Sequence, residues 1–227
     1  MNGRRLALFD FDGTITTRDT MFLFVWHARG GVRTVIGLTW LLPMLIAHRI
    51  GLVPADRAKE ILLRHFLGGF DRAALDGWAR SFVARVEGVI RPEARKRLDW
   101  HRAQGHDVWI VSASLDLWVA PWVARYGGVN LACTTGRFEG DRFTGRLGSP
   151  NCNGAEKEVR VRAAVDLDRY EHVYGYGDSS GDAELLALAD EVWFRPFRAD
   201  SPSVRTAPAS PNAGSSAGPS TSAVEPD

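Results

Sequence analysis

Leu6-Ala7-Leu8-Phe9-Asp10-Phe11-Asp12-Gly13-Thr14 carries the first apolar run of the chain and ends it on two carboxylates. A run that is continuously apolar rather than alternating reads as a strand buried on both faces, as in a parallel sheet. Three further runs of this kind follow, at residues 108–111, 172–176 and 192–194. Helical stretches separate them. One runs from residue 91 to about 104, with Pro92 in its first turn and Gly105 just past its last. Another covers residues 115–126 and is closed by Gly127 and Gly128, and a third starts near Asp182 and carries Leu185, Leu186 and Leu188. Alternating strands and helices imply a doubly wound, Rossmann-like α/β core with a parallel sheet.

Residues 17–90 break the alternation. Phe22, Phe24, Trp26, Leu62, Phe66, Trp78 and Phe82 recur at helical spacing with no convincing strand between them. The segment reads as a helical insertion after the first strand. It holds ten Lys or Arg against six Asp or Glu, whereas the rest of the chain is net acidic. Within it, residues 34–47 (TVIGLTWLLPMLIA) carry no charge, are too short for a spanning helix, and are interrupted by Pro43. A packed insertion helix and a membrane-surface element both fit. Thr-Gly and Glu-Gly-Asp signals in residues 134–147 suggest a β-hairpin. From residue 199 the composition falls to Ser, Pro, Ala, Gly and Thr, which offers too little apolar burial to offset ordering entropy. The expected organisation is an α/β core of residues 1–16 and 91–198, a helical insertion of residues 17–90, and a disordered tail of residues 199–227.

Bulk properties exclude other classes. A net charge of +1 with no Lys/Arg-rich block argues against nucleic-acid binding. Cys133 and Cys152 form no CxxC pair and no metal-ligand spacing with the six histidines, so they read as reduced thiols suited to the cytoplasm. Only four apolar residues precede Asp10 after Arg4 and Arg5, too few for the core of a signal peptide. The expected location is cytoplasmic, with a peripheral membrane contact left open by residues 34–47.

In a doubly wound sheet, ligands bind beyond the carboxyl ends of the strands. Here those ends carry Asp10, Asp12 and Thr14, then Ser112, then Gly177-Asp178-Ser179-Ser180-Gly181-Asp182. A carboxylate nucleophile is repelled by a phosphate dianion unless a divalent cation neutralises both. Mg²⁺ favours hard oxygen ligands, so Asp10, the Asp12 carbonyl and Asp178 are candidate ligands, with Asp182 one turn away as a fourth. Ser112 and Lys157 offer donors and positive charge for the phosphoryl oxygens.

Together, Asp10-Phe11-Asp12-Gly13-Thr14, Ser112, Lys157 and Gly177-Asp178 to Asp182 resemble the four motifs of the haloacid dehalogenase superfamily in order and setting. The insertion after the first strand looks like the type-one cap of its phosphoserine-phosphatase-like subfamily IB. VSASLDLWVAPW, SPNCNGAEK and YGYGDSSGD look most like the phosphatidylglycerophosphatase-C-like group. The resemblance implies that Asp10 attacks phosphorus and that Asp12 serves as acid and then base. It also implies that Ser112 and Lys157 hold phosphoryl oxygens, and that Thr14 and Asp19 join them in contacting substrate. Phosphoserine phosphatases place Glu where this chain has Asp19, and usually Ser where it has Gly13, which departs from a phosphoserine specificity. Asp19 also fits a helix cap. Arg18, Arg49 and Arg57 are further basic groups of the insertion that could meet a phosphorylated head group.

The expected function is a Mg²⁺-dependent phosphatase acting through an aspartyl-phosphate on a lipid phosphate such as phosphatidylglycerophosphate or on a soluble metabolite such as phosphoserine. A phosphotransferase or mutase would use the same intermediate while excluding water. A non-catalytic membrane- or partner-binding module is the third reading, against which the intact set of motif residues stands.

Overall fold

The computed structural model describes residues 3–198 and 205–206. Strand β1 (Arg5–Phe9) lies at the centre of a sheet ordered β3-β2-β1-β6-β7-β8. Its neighbours are β2 (Asp107–Leu115) and β6 (His172–Gly177), both parallel to it, with β3 (Asn130–Thr134) beyond β2 and β7 (Glu191–Phe194) beyond β6. A short β8 (Arg205–Thr206) pairs antiparallel with β7. Leu6 to Phe9 are fully buried, which is why the run is apolar without alternation. Helices α5 (Pro92–Ala103), α6 (Asp116–Tyr126), α7 (Ala155–Ala164) and α8 (Ala183–Ala187) connect the strands. Ala7 and Phe9 pack into one apolar cluster while Leu6 and Leu8 pack into a second, so the sheet is covered on both faces.

Between β1 and α5 stand four helices: α1 (Thr20–Arg29), α2 (Gly31–Arg49), α3 (Ala55–Leu67) and α4 (Arg72–Glu87). The chain leaves and re-enters the core through one narrow stem. Thr16 bridges Ile90, the Thr17 amide donates to the Val89 carbonyl at 2.8 Å, and the Arg91 amide donates to the Ile15 carbonyl at 2.9 Å. A second attachment comes from the hairpin of β4 (Gly136–Glu139) and β5 (Arg142–Leu147). The Gly69 amide donates to the Phe143 carbonyl (2.7 Å), the Phe143 amide to the Phe70 carbonyl (2.9 Å), and the Arg72 amide to the Asp141 carbonyl (2.7 Å). The hairpin edge that would otherwise be open is thereby paired with the turn between α3 and α4.

Four expectations are corrected. Strand β3 was not anticipated, because Asn130-Leu131-Ala132-Cys133-Thr134 has one large apolar residue; Thr134 ends this strand and does not start the hairpin. Strand β2 extends past Ser112 to Leu115 through an irregularity in its register with β3. Helix α2 continues through Pro43, which lies on the exposed face where a carbonyl left without its amide partner can be solvated, and its 19 residues are long and apolar enough to cross a membrane, where residues 34–47 alone read as too short. Helix α8 ends at Ala187, short of Leu188, and is preceded by a tight turn over Ser180–Asp182. Of the tail expected to be disordered, Arg205–Thr206 form β8 and the rest lies outside the described residues.

Candidate active site

The carboxyl ends of β1, β2 and β6 meet at one point. Immediately after β1 the chain coils through a single wide turn, Phe11–Ile15, in which Gly13 has φ +85°. A Cβ at Gly13 would stand 2.5 Å from Asp178 Oδ2, so this glycine serves both the turn and the close approach of β6. Asp10 is 6% exposed and its amide donates to the Tyr176 carbonyl at 2.8 Å, which locks the end of β1 to β6.

Lys157, on the first turns of α7, is 1% exposed. Its Nζ donates to Asp10 Oδ1 and to Asp182 Oδ1, both at 2.6 Å. Burial pulls its pKa down, but the two carboxylates outweigh burial and hold the ammonium firmly charged. Asp10 is pushed up to about 7 by burial, against the lowering pull of Lys157. Asp182 is lowered: burial opposes ionisation, but Lys157 and the amides of Ser179 and Asp178 prevail. Its Oδ2 accepts from the Asp178 amide (3.0 Å), the Ser179 amide (2.9 Å) and Ser179 Oγ (2.9 Å). Asp182 thus holds Lys157 through Oδ1 and shapes the loop after β6 through Oδ2.

Asp12 turns the other way. Its Oδ1 accepts from the Thr20 amide at 2.7 Å and its Oδ2 from Ser114 Oγ at 2.5 Å. Thr20 Oγ1 lies 3.2 Å from Ser114 Oγ and accepts from Trp118 Nε1 at 3.1 Å, which fixes the clamp from behind. Burial raises Asp12 to about 6 and the charge of Asp19 adds to it, while the Ser114 and Thr20 bonds oppose. Ser112 is buried and its Oγ accepts from the Ser114 amide at 3.0 Å. Asp19 is exposed and caps α1, its Oδ1 accepting from the Met21 and Phe22 amides at 2.8 and 3.3 Å.

Asp10, Asp178 and Asp182 each place one carboxylate oxygen within 4.8 Å of the others. Among the described residues, Asp10 Oδ2 is buried without a hydrogen-bond partner, as is Thr14 Oγ1. A buried carboxylate oxygen left unpaired beside a second carboxylate is what an oxygen-seeking cation would satisfy, so the donor set fits Mg²⁺. Asp178 is raised by burial, and Arg198 Nη2 donates to its Oδ2 at 2.7 Å.

The structure therefore gathers Asp10, Asp12, Thr14, Ser112, Lys157, Asp178 and Asp182 at the strand ends and leaves Asp19 at the rim on α1. Sequence reasoning missed Ser114, Thr20, Lys59 and Arg198. Ser114 was findable, standing two residues beyond Ser112 on the same strand face. Lys59 gave no local signal. It reaches from α3 to the Ala113 carbonyl and to Asn151 Oδ1 (2.9 Å), and burial lowers it to about 8 against the pull of Asp12 and Asp19.

The likenesses to known proteins agree with this geometry. The chain is 38% identical over 196 residues to protein CicA of Caulobacter vibrioides, covering 85% of this chain and 86% of that one. It is 27% identical over 194 residues to a probable phosphatase of Mycobacterium tuberculosis, covering 81% and 66%. Among solved structures, a protein of unknown function from Bordetella pertussis Tohama I superposes with a TM-score of 0.75 at 25% identity, covering 84% and 89%. A substrate-bound phosphoserine phosphatase shares the fold with a TM-score of 0.59 at 13% identity, covering 86% and 87%. The family model for haloacid dehalogenase-like hydrolases matches residues 7–187, and the chain belongs to that family.

Proposed function

We propose that the protein is a Mg²⁺-dependent phosphatase that hydrolyses a phosphate monoester through an aspartyl-phosphate on Asp10. The observation that carries this reading is Asp10 itself, with one oxygen held by buried Lys157 and the other without a partner among the described residues. Asp10 and Asp178 with the Asp12 carbonyl would hold the cation. When bound, it would neutralise the repulsion between the Asp10 carboxylate and the phosphate dianion.

The chain's own residues then divide the work. An Asp10 oxygen forms a bond to phosphorus as the ester oxygen departs, and that oxygen takes a proton from Asp12. In the second half Asp12 takes a proton from water, the water oxygen bonds to phosphorus, and the Asp10 carboxylate is released with inorganic phosphate. A group held near 6 can carry the proton in one half and accept it in the other at neutral pH. Lys157, Ser112 and Thr14 would hold the phosphoryl oxygens, with Asp182 positioning Lys157.

The substrate class we favour is a lipid phosphate such as phosphatidylglycerophosphate, met by the insertion at a membrane surface from the cytoplasmic side. Support for this reading comes from the insertion's ten Lys or Arg against six Asp or Glu, a balance that favours an anionic surface. Phosphoserine is less suited, since Asp19 spends its Oδ1 on capping α1. The test is phosphate release with and without Mg²⁺ from phosphatidylglycerophosphate in mixed micelles, from phosphoserine and from soluble monoesters, with Asp10→Asn as control. Release that needs neither Mg²⁺ nor Asp10 would overturn the mechanism. Release confined to soluble esters would overturn the lipid assignment alone.

A further inference from the structure

Helix α2 is apolar on two faces and has only one of them covered. Thr34 and Gly37 are buried, Leu38, Leu41, Met44 and Leu45 pack on the core, and Gly37 lies so close to Phe66 of α3 that a Cβ would stand 2.4 Å from its ring. The opposite face presents Val32, Val35, Ile36, Trp40, Leu42 and Ile46, with Val32 76% and Trp40 80% exposed. A surface helix ordinarily turns charge to water on that side. Here the flanks are charged and the face is not: no Asp or Glu occurs from Thr20 to Ala55, while Arg29, Arg33 and Arg49 stand at the two ends of α2.

Arg29 and Arg33 also line a cleft of about 180 Å³ with Ile36, Gly37, Trp40, His65 and Phe66. Arg29 stacks on the Phe70 ring at 4.6 Å, and Arg33 makes no ion pair among the described residues. Two guanidinium groups beside an exposed indole, at the edge of an uncharged face, are suited to a headgroup phosphate with acyl chains below it.

We infer that the outward face of α2 docks flat on an anionic lipid bilayer, Arg29 and Arg33 taking headgroup phosphates and Ile36 and Trp40 entering the acyl boundary. A second copy of the chain is the competing occupant, and charge disfavours it. Antiparallel pairing of two α2 faces sets Arg29 and Arg33 against Arg49, and parallel pairing sets Arg33 against Arg33, with no acidic residue in the segment to relieve either. A spanning helix is also disfavoured, since one side of α2 is committed to α3. The inference stands apart from the chemistry at Asp10.

The test is co-sedimentation with vesicles of phosphatidylcholine alone and of equal parts phosphatidylcholine and phosphatidylglycerol. The protein is expected to bind the anionic vesicles at least about tenfold more tightly, and less so as salt rises. Arg33→Glu and the double variant Ile36→Ser, Trp40→Ser should each weaken that binding about tenfold or more while leaving turnover of a soluble phosphomonoester and the thermal midpoint unchanged. Asp10→Asn should bind vesicles as the wild type does, so loss of turnover and loss of docking are read separately. Equal, weak sedimentation with both vesicles would overturn the inference. So would unaltered binding by the α2 variants, or a wild-type dimer that the same variants dissolve.

Discussion

Replacing Lys157 by Met keeps most of the buried volume and removes the charge between Asp10 and Asp182. The wild-type ammonium makes two bonds of 2.6 Å at a site only 1% exposed, so its loss strands two carboxylates in a dry environment. Breaking a buried pair in this way costs about 3–5 kcal/mol. Asp182 keeps three donors on Oδ2, whereas Asp10 has no other donor among the described residues and its pKa must climb above its present value of about 7. A carboxyl with a raised folded pKa binds a proton that the unfolded chain, at about 3.9, does not, so the folded form gains stability as pH falls. Between its own raised pKa and 7 the variant gains this while the wild type does not, by about 1.4 kcal/mol per pH unit. The gap between the two proteins therefore narrows from alkaline pH down to neutrality and is flat below it. Urea denaturation in the presence of a chelator, at about pH 6, 7.5 and 9, reads this directly. A destabilisation under about 1 kcal/mol, or one that does not change with pH, would refute the picture of a lysine that neutralises buried charge.

Other expected outcomes follow from the same geometry. Gly13→Ala forces a φ of +85° on an alanine and sets its Cβ 2.5 Å from Asp178 Oδ2, so stability should fall by about 1–3 kcal/mol and turnover at least about tenfold, checked by thermal melts and steady-state kinetics. Ser114→Ala removes a 2.5 Å bond that favours ionised Asp12, so the limb of the pH–rate profile that reports Asp12 should move to higher pH; an unmoved limb would detach Asp12 from the rate. His101 is held neutral by burial, down to about 3, with His106 Nδ1 at 2.8 Å and Tyr176 Oη at 2.9 Å. Its folded pKa is depressed, so it withdraws stability as pH falls below about 6.5; comparing His101→Gln with wild type cancels Asp10 and Asp12 and should reveal a difference of about 2 kcal/mol between pH 7 and 5.

Much of this was legible in the chain, for a physical reason. A strand buried on both faces must be apolar throughout, so β1 and β6 announced themselves and the carboxylates after them marked the strand ends. Strand β3 stayed hidden because an edge strand needs less apolar surface, and Asn130 to Thr134 spends its positions on small and polar groups. The partners of Asp12 were harder to see. Thr20 arrives from the insertion and Trp118 from α6, and only folding brings them within 3.1 Å of each other. Lys59 and Arg198 are of the same kind: residues with no motif around them, whose place depends on tertiary packing. Pro43 misled in the other direction, since the rule that proline ends a helix assumes a carbonyl that cannot be solvated.

The pairing of the hairpin with residues 69–72 bears on how such enzymes exchange their parts. Three backbone hydrogen bonds join the insertion to β5 and its turn, and the Leu147 amide adds a fourth tie to Glu60 Oε1 at 3.1 Å. Backbone pairing carries register, and register is a property of both strands at once. A chimera cut at the stem near Thr16 and Ile90 would transplant the helices and leave behind the edge they were built to meet. The unit that must move intact in this chain is therefore discontinuous, residues 17–90 together with 136–147, and a recombinant that moves one without the other inherits a misfit.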